Sequence, residues 1–110
     1  MKVKFYVTSS GRSPVEEFFQ EQSVDLRSDF LDAVNLLTGG RPLGMPVNRN
    51  LSAIHHGLNE LRLKDRTGHV RVLYFIKKAE AVYVLHAFRK RTQKLPQREI
   101  DVALRRIREV

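Results

Sequence analysis

Three consecutive strand-like runs between residues 60 and 89 constrain the fold of this chain more than any other feature. The first run, 60 to 64, alternates leucine with charged residues, and the runs 70 to 77 and 81 to 89 are rich in Val, Leu, Ile and aromatic residues. Alternation with a period of two is typical of strands. Polar turns at 65 to 69 and 78 to 80 separate the runs. We therefore predict consecutive antiparallel strands whose middle is covered on both faces.

The segments on either side of these runs predict one further strand and three helices. Alternation over residues 3 to 7 predicts an N-terminal strand. A helical hairpin is predicted from Ser13 to Leu37, opened by a Ser13-Pro14-Val15-Glu16 capping box and closed by Gly39-Gly40. Residues 41 to 59 have no sustained period and are predicted as a long connection. The last helix is predicted to open at Pro96 and to run toward Val110.

The resulting β-α-α-β-β-β-α order predicts an α+β fold in a single domain over residues 1–110. We expect a four-stranded, mainly antiparallel sheet with the helical hairpin on one face and the C-terminal helix near the other. A chain of 110 residues has room for one core of two packed layers, which excludes a second domain.

Composition excludes several kinds of chemistry. The chain has no cysteine, which excludes disulfides, Cys-based zinc sites and thiol nucleophiles. No metal-ligand pattern is present in the sequence, so we expect neither a metal nor another cofactor. Uninterrupted apolar stretches such as Val72 to Ile76 are much shorter than the roughly 18 residues of a membrane span. Because the N-terminus also lacks the apolar region of a signal peptide, we expect a cytoplasmic protein with no membrane partner.

The positive charge is concentrated in the second half of the chain. Residues 1 to 60 contain six Lys and Arg and seven Asp and Glu, whereas residues 61 to 110 contain fourteen and five, so the net charges are −1 and +9. A basic half of this size attracts polyanions, and each neutralised phosphate releases counterions. Nucleic acid is the first candidate partner, and a basic soluble protein without such a partner is the alternative.

Three segments resemble one protein family in their order and spacing. They are Gly57-Leu58-Asn59-Glu60-Leu61-Arg62, Val70-Arg71-Val72-Leu73-Tyr74-Phe75, and Leu85 to Pro96 followed by Glu99-Ile100 and Ala103. Together they resemble the phage-derived HigB-like branch of the RelE/ParE toxin superfamily, across essentially the whole chain. One departure is Leu95, which stands where family members often have a Thr or Ser, and which cannot cap the last helix with its side chain.

The resemblance implies a RelE-like fold and a cytoplasmic toxin of a type II toxin–antitoxin system. The implied activity is that of an mRNA interferase, a metal-independent and ribosome-dependent endoribonuclease that inhibits translation by cleaving mRNA. The implied partners are the ribosome with its mRNA and a cognate antitoxin. We expect that antitoxin to be of the helix-turn-helix type and to be encoded next to the toxin.

Three cations, Arg62, Arg71 and Lys90, are the predicted catalytic residues. Attack of a 2′-OH on the adjacent phosphate needs a base, an acid for the leaving oxygen and cations for the developing charge. Arg62 and Arg71 lie on neighbouring predicted strands, and arginine binds phosphate through two donors. The resemblance aligns Arg71 with a phosphate-contacting arginine of the family and Lys90 with its basic segment near the scissile phosphate. As an exposed strand residue, Arg71 is expected to contribute little to stability.

A second group of residues is predicted to bind RNA. Lys64 shares a strand face with Arg62, and the cations that follow the last strand form a basic rim. His86 is predicted on one face with Val82, Val84 and Phe88, and histidine exchanges protons near neutral pH. The predicted RNA-binding residues are Lys64, Arg89, Arg91, Lys94 and His86. A solvated charged face and a core histidine are the structural alternatives, and His55, His56 and His69 are weaker candidates for contacts with RNA.

Two other functions fit the same sequence. ParE-like inhibitors of DNA gyrase have the same predicted layout, but they lack a phosphate-binding cluster on the sheet. A basic module that binds nucleic acid without chemistry is the third hypothesis. The combination of Arg62, Arg71 and Lys90 favours the nuclease.

Overall fold

The computed structural model describes residues 1–41, 43, 47–78 and 80–110, so parts of the predicted 41–59 connection and of the turn at 78–80 lie outside it. The elements in chain order are β1 (Lys2–Phe5), α1 (Pro14–Gln20), α2 (Val24–Thr38), β2 (Asn48–Asn50), β3 (Leu58–Asp65), β4 (Gly68–Lys77), β5 (Ala81–Lys90) and α3 (Gln97–Ile107). This is an α+β fold. Apart from shifted bounds, all the predicted strands and helices are confirmed, and β2 is additional.

In the described part of the chain, one mixed sheet has five strands in the order β1-β5-β4-β3-β2. β1 pairs with β5 in parallel, and the other three pairings are antiparallel. The prediction of four strands is wrong because β2 forms within the segment predicted as a connection. Its sequence Asn-Arg-Asn has no apolar alternation, and backbone pairing with residues 59–61 of β3 holds it at the edge of the sheet.

Two apolar clusters cover the two faces of the sheet. α1 and α2 pack on one face, here termed the hairpin face, where the rings of Phe19 and Phe30 stack with their centroids 4.0 Å apart. α3 packs on the other face, here termed the α3 face, through Ala103 and Ile107. The sheet residues in the second cluster include Leu58, Leu73, Leu85 and Phe88. The predicted placement of the hairpin and the C-terminal helix on opposite faces is confirmed.

A β-bulge at Leu85 decides which face of the sheet His86 occupies. The β4–β5 register shifts by one residue there, and Leu85 has no pairing partner. His86 therefore lies on the α3 face, where its ring stacks with that of Phe88, while Val82 and Val84 lie on the hairpin face. The predicted common face for these four residues is wrong, because an inserted residue reverses the alternation and leaves no mark in the sequence pattern.

The helix ends follow the sequence signals in part. Gly40 has a φ of 73°, the left-handed conformation expected of a helix stop. The capping box predicted at Ser13 does not form: the Ser13 side chain makes no capping hydrogen bond, and its Oγ is buried without a partner among the described residues. Ser23 caps α2 instead, by accepting a hydrogen bond from the Leu26 N–H at 3.1 Å.

Candidate active site and nucleic-acid interface

The charged residues of the α3 face lie in rows that cross β3, β4 and β5. One row joins Arg62 to Arg71, and the next joins Lys64, His69 and Lys90. α3 covers the apolar part of this face and leaves these rows open. The open part is a cleft of about 450 Å³, here termed the cationic cleft. Its lining residues are Arg62, His69, Arg71, Lys90, Arg91, Thr92 and Gln93.

A buried carboxylate joins the two arginines of the cationic cleft. Glu60 lies on the same face of β3 as Arg62 and has no exposed surface. Its Oε1 accepts a hydrogen bond from Arg62 Nε at 3.2 Å, and its Oε2 lies 3.7 Å from Arg71 Nε. A buried carboxylate needs a compensating charge, so these three side chains form one electrostatic unit. Strand alternation places Glu60 on one face with Arg62, but no sequence signal predicted its burial or this role.

Arg71 is buried more deeply than the sequence predicts. It is 7% exposed, and its Nη1 donates to the carbonyl oxygens of Val70 at 3.1 Å and Leu63 at 3.4 Å. Its Nε has no hydrogen-bond partner among the described residues. Burial lowers the pKa of Arg71 while Glu60 raises it, and arginine remains charged. The expectation of an exposed arginine is wrong. Because removing Arg71 would leave Glu60 with one partner, we now expect it to contribute to stability.

Lys90 ends β5 at the side of the cationic cleft. Partial burial lowers its pKa, and the positive charges of Arg71, Arg62 and Arg49 lower it further. The carboxylate of Glu60 acts in the opposite direction. A lysine with a lowered pKa donates its proton more readily near neutral pH, as a general acid must.

Arg89 lies on the hairpin face, away from the cleft. Its Nη1 and Nη2 donate to the two carboxylate oxygens of Asp65 at 3.0 and 2.7 Å, and Nη2 also donates to Gln22 Oε1 at 2.8 Å. These hydrogen bonds raise the pKa of Arg89 and hold the pKa of Asp65 well below its usual range. The structure does not bring Arg89 to the predicted RNA-binding rim, because successive strand residues point to opposite faces.

The other predicted RNA-binding residues are divided between the cleft and its surroundings. Arg91 lines the cationic cleft, and Lys64 lines an adjoining pocket of about 290 Å³ that shares Arg62 and Arg71 with it. Lys94 is exposed and does not line the cleft. His86 lies beside α3, where its Nε2 is 2.9 Å from Glu99 Oε1 and burial lowers its pKa.

The described ranges of the chain provide neither a cluster of metal ligands nor a membrane-spanning helix. Within those ranges, no group of three or more His, Asp or Glu side chains is arranged to hold a metal ion. The metal-independent reaction expected from the sequence stays a prediction. Among the same residues, no helix has the length and apolar character that crossing a membrane requires.

Comparison with known proteins identifies the family of this chain. Residues 17–108 match the family model described as phage derived protein Gp49-like (DUF891). A search of curated proteins finds no match. Gp49-like proteins are toxin-like modules of toxin–antitoxin systems and are generally toxins of the endoribonuclease type, so the family implies a cognate antitoxin. With more than four-fifths of its length matched, the chain belongs to the phage-derived Gp49-like family, within the RelE/ParE-like toxins.

Proposed function

We propose that this protein is a ribosome-dependent mRNA endonuclease of the HigB-like branch, acting as the toxin of a type II toxin–antitoxin system. The observation that carries the proposal is the grouping of Arg62, Arg71 and Lys90 around one open cleft. Preorganised cations at one site suit a phosphate whose negative charge increases in the transition state. The endoribonuclease character of Gp49-like toxins supports the same assignment.

In the proposed reaction, a 2′-hydroxyl of the RNA is the nucleophile, and the protein binds the phosphate that it attacks. The 2′-oxygen attacks the adjacent phosphorus, the O2′–P bond forms and the P–O5′ bond breaks, leaving a 2′,3′-cyclic phosphate and a 5′-hydroxyl. Arg62 and Arg71 bind the non-bridging oxygens, and Lys90 gives a proton to the leaving 5′-oxygen. His69 is the one imidazole among the described cleft-lining residues, and we assign it the proton from the 2′-hydroxyl.

The proposal includes the partners and the compartment that this reaction requires. The substrate is mRNA on the ribosome, which places the toxin in the cytoplasm. We propose that the antitoxin is of the helix-turn-helix type and that an acidic segment of it covers the basic surface around the cleft. Charge complementarity with a half-chain of +9 would increase both the rate and the specificity of that association.

The decisive experiment adds the purified protein to ribosomes that are translating a defined mRNA and maps the new RNA ends. We expect cleavage on the ribosome, with cyclic phosphate ends, and no cleavage of the same mRNA alone. Inhibition of gyrase supercoiling without cleavage would instead support the ParE-like alternative. Binding of RNA with neither activity would support the non-catalytic module, and either result would contradict the proposal.

A further inference from the structure

We infer that Glu60 is a positioning residue of the cationic cleft, a carboxylate that holds the guanidinium groups of Arg62 and Arg71 together as one preformed phosphate clamp. The catalytic meaning of this inference rests on the proposed function. The clamp itself is a property of the folded protein, and it is measurable without RNA.

Glu60 occupies a buried position in the interior of the sheet. It lies in the interior strand β3, paired with Leu73 of β4 on one side and with Arg49 of β2 on the other, and it is fully buried. A buried ion pair contributes little net stability compared with apolar residues of similar volume. We therefore assign this carboxylate a role in positioning the two arginines rather than in stabilising the fold.

Glu60 contacts both arginines of the clamp. Each carboxylate oxygen faces the Nε of a different arginine, Arg62 at 3.2 Å and Arg71 at 3.7 Å. Arg62 and Arg71 are direct cross-strand partners, so their charges would repel each other without an anion between them. Arg62 donates to Glu60 through Nε, and Arg71 donates to backbone carbonyls through Nη1. Among the described contacts this leaves both terminal nitrogens of Arg62 and the Nη2 of Arg71 for a phosphate, which arginine binds through its guanidinium donors. Glu60 thus holds Arg62 by a hydrogen bond to Nε and Arg71 by charge attraction at 3.7 Å, and both contacts are through the Nε atoms rather than the terminal nitrogens.

The charges around Lys90 provide a signature that separates positioning from simple packing. Positively charged and titratable groups surround Lys90. They are Arg71 and His69 on β4, of which His69 is the cross-strand partner of Lys90, then Arg62 on β3, Arg49 on β2, and Arg91, which follows β5. Among these described neighbours of the cleft, Glu60 supplies the opposing negative charge. Neutralising Glu60 should therefore lower the pKa of Lys90, whereas a purely steric change would leave it unaltered.

The test compares Glu60→Gln with Glu17→Gln, a control with the same substitution that removes the carboxylate of the exposed pair between Arg12 and Glu17 of α1. NMR of the full chain follows the arginine Nε–H signals and the titration of the Lys90 side chain. In Glu60→Gln we expect the Arg62 Nε–H to exchange faster with water and the pKa of Lys90 to fall. Neither change is expected in Glu17→Gln. A folded Glu60→Gln protein with wild-type values for both would overturn the inference.

A second measurement covers the case in which Glu60→Gln does not fold. In the wild-type protein, the Arg62 Nε–H should exchange more slowly than that of Arg98, whose side chain is 86% exposed. Equal exchange rates would overturn the inference. Glu60→Asp keeps the charge; where Glu60→Gln does fold, Glu60→Asp should hold the pKa of Lys90 closer to its wild-type value than Glu60→Gln does.

Cleavage kinetics separate failure of this inference from failure of the proposed function. If the wild-type protein cleaves ribosome-bound mRNA, Glu60→Gln should reduce kcat by about 10–100-fold, as for other residues that orient a functional group. The alkaline limb of its pH–rate profile should move to lower pH. Wild-type protein that shows the NMR signature without cleaving RNA would support the clamp and contradict the nuclease. Cleavage by folded Glu60→Gln with an unchanged rate and pH profile would contradict the clamp alone.

Discussion

Two arginine–carboxylate groups lie on opposite faces of the same sheet, and they differ in how completely the arginine is paired. On the hairpin face, Arg89 donates to both oxygens of Asp65 and to Gln22. On the α3 face, Arg71 lies beside Glu60 without a hydrogen bond to it among the described contacts, since the buried Nε is 3.7 Å from Oε2, and the side chain lines an open cleft. An arginine whose two terminal nitrogens bind a carboxylate fixes the structure, whereas Arg71, whose described hydrogen bonds involve Nη1 alone, keeps Nη2 for an anion in the cleft.

A run of cations in the sequence therefore does not form one functional surface. Arg89, Lys90 and Arg91 are consecutive, but Lys90 and Arg91 line the cationic cleft while Arg89 lies on the opposite face. Alternation along the strand separates them, and α3 and the hairpin then determine which face stays open. The following predictions test this division of roles.

The largest expected effect is that of Arg71→Ala on RNA cleavage. Removing one preorganised cation from a site where charge develops typically costs about 10²–10³ in rate, and we expect a loss of that size. Arg71→Lys should recover only part of the activity, because an ammonium group replaces a two-pronged donor. The measurement is the single-turnover rate of mRNA cleavage on ribosomes, normalised to folded protein.

A double variant separates that loss from instability. Arg71→Ala leaves the buried Glu60 with Arg62 alone, so we expect the free energy of unfolding to fall by about 1–3 kcal/mol. Adding Glu60→Gln removes the uncompensated charge and should restore part of this stability without restoring cleavage. A stable double variant that cleaves at the wild-type rate would show that neither residue belongs to the active site.

A smaller, structural effect is expected for Asp65→Asn on the hairpin face. The hydrogen bond from Arg89 lowers the pKa of folded Asp65, so the unfolded chain takes up the proton first as the pH falls. The stabilisation is complete above the ordinary aspartate pKa of about 4 and is lost as the pH falls through the lowered folded value. Urea unfolding should therefore show wild type more stable than Asp65→Asn at neutral pH, with the two converging in acid. A difference that does not change with pH would contradict this role, and cleavage by folded Asp65→Asn should be unchanged.

The sequence predicts most of the fold because most elements carry their own periodic signal. The strands around residues 60 to 89, the hairpin and the last helix all bury a face that alternation or helical spacing marks in advance. β2 could not be predicted in this way, because Asn48–Asn50 is held by pairing with β3 and buries no apolar stripe. The bulge at Leu85 could not be predicted from the sequence either, since it depends on how β4 and β5 pair.

The sequence predicts the pairing of the candidate-site arginines but not their burial. Strand register follows from alternation, and it brings Arg62 beside Arg71 as expected. Burial depends on what packs above the strand, so the sequence could not reveal that Glu60 is enclosed or that Arg71 is nearly so. Side-chain hydrogen bonds between residues distant in sequence could not be predicted either, such as those of Arg89 with Asp65 and Gln22.

The most direct test of the active-site assignment compares Lys90→Ala with Arg89→Ala, two alanine substitutions of cations at adjacent positions on opposite faces. The measurement is the rate of cleavage of ribosome-bound mRNA per folded molecule, with thermal unfolding recorded for both variants. We predict that Lys90→Ala stays folded and loses most of its cleavage rate, while Arg89→Ala unfolds at a lower temperature and cleaves at the wild-type rate when folded. Loss of cleavage in folded Arg89→Ala together with wild-type cleavage by Lys90→Ala would contradict the assignment of the active site to the cationic cleft.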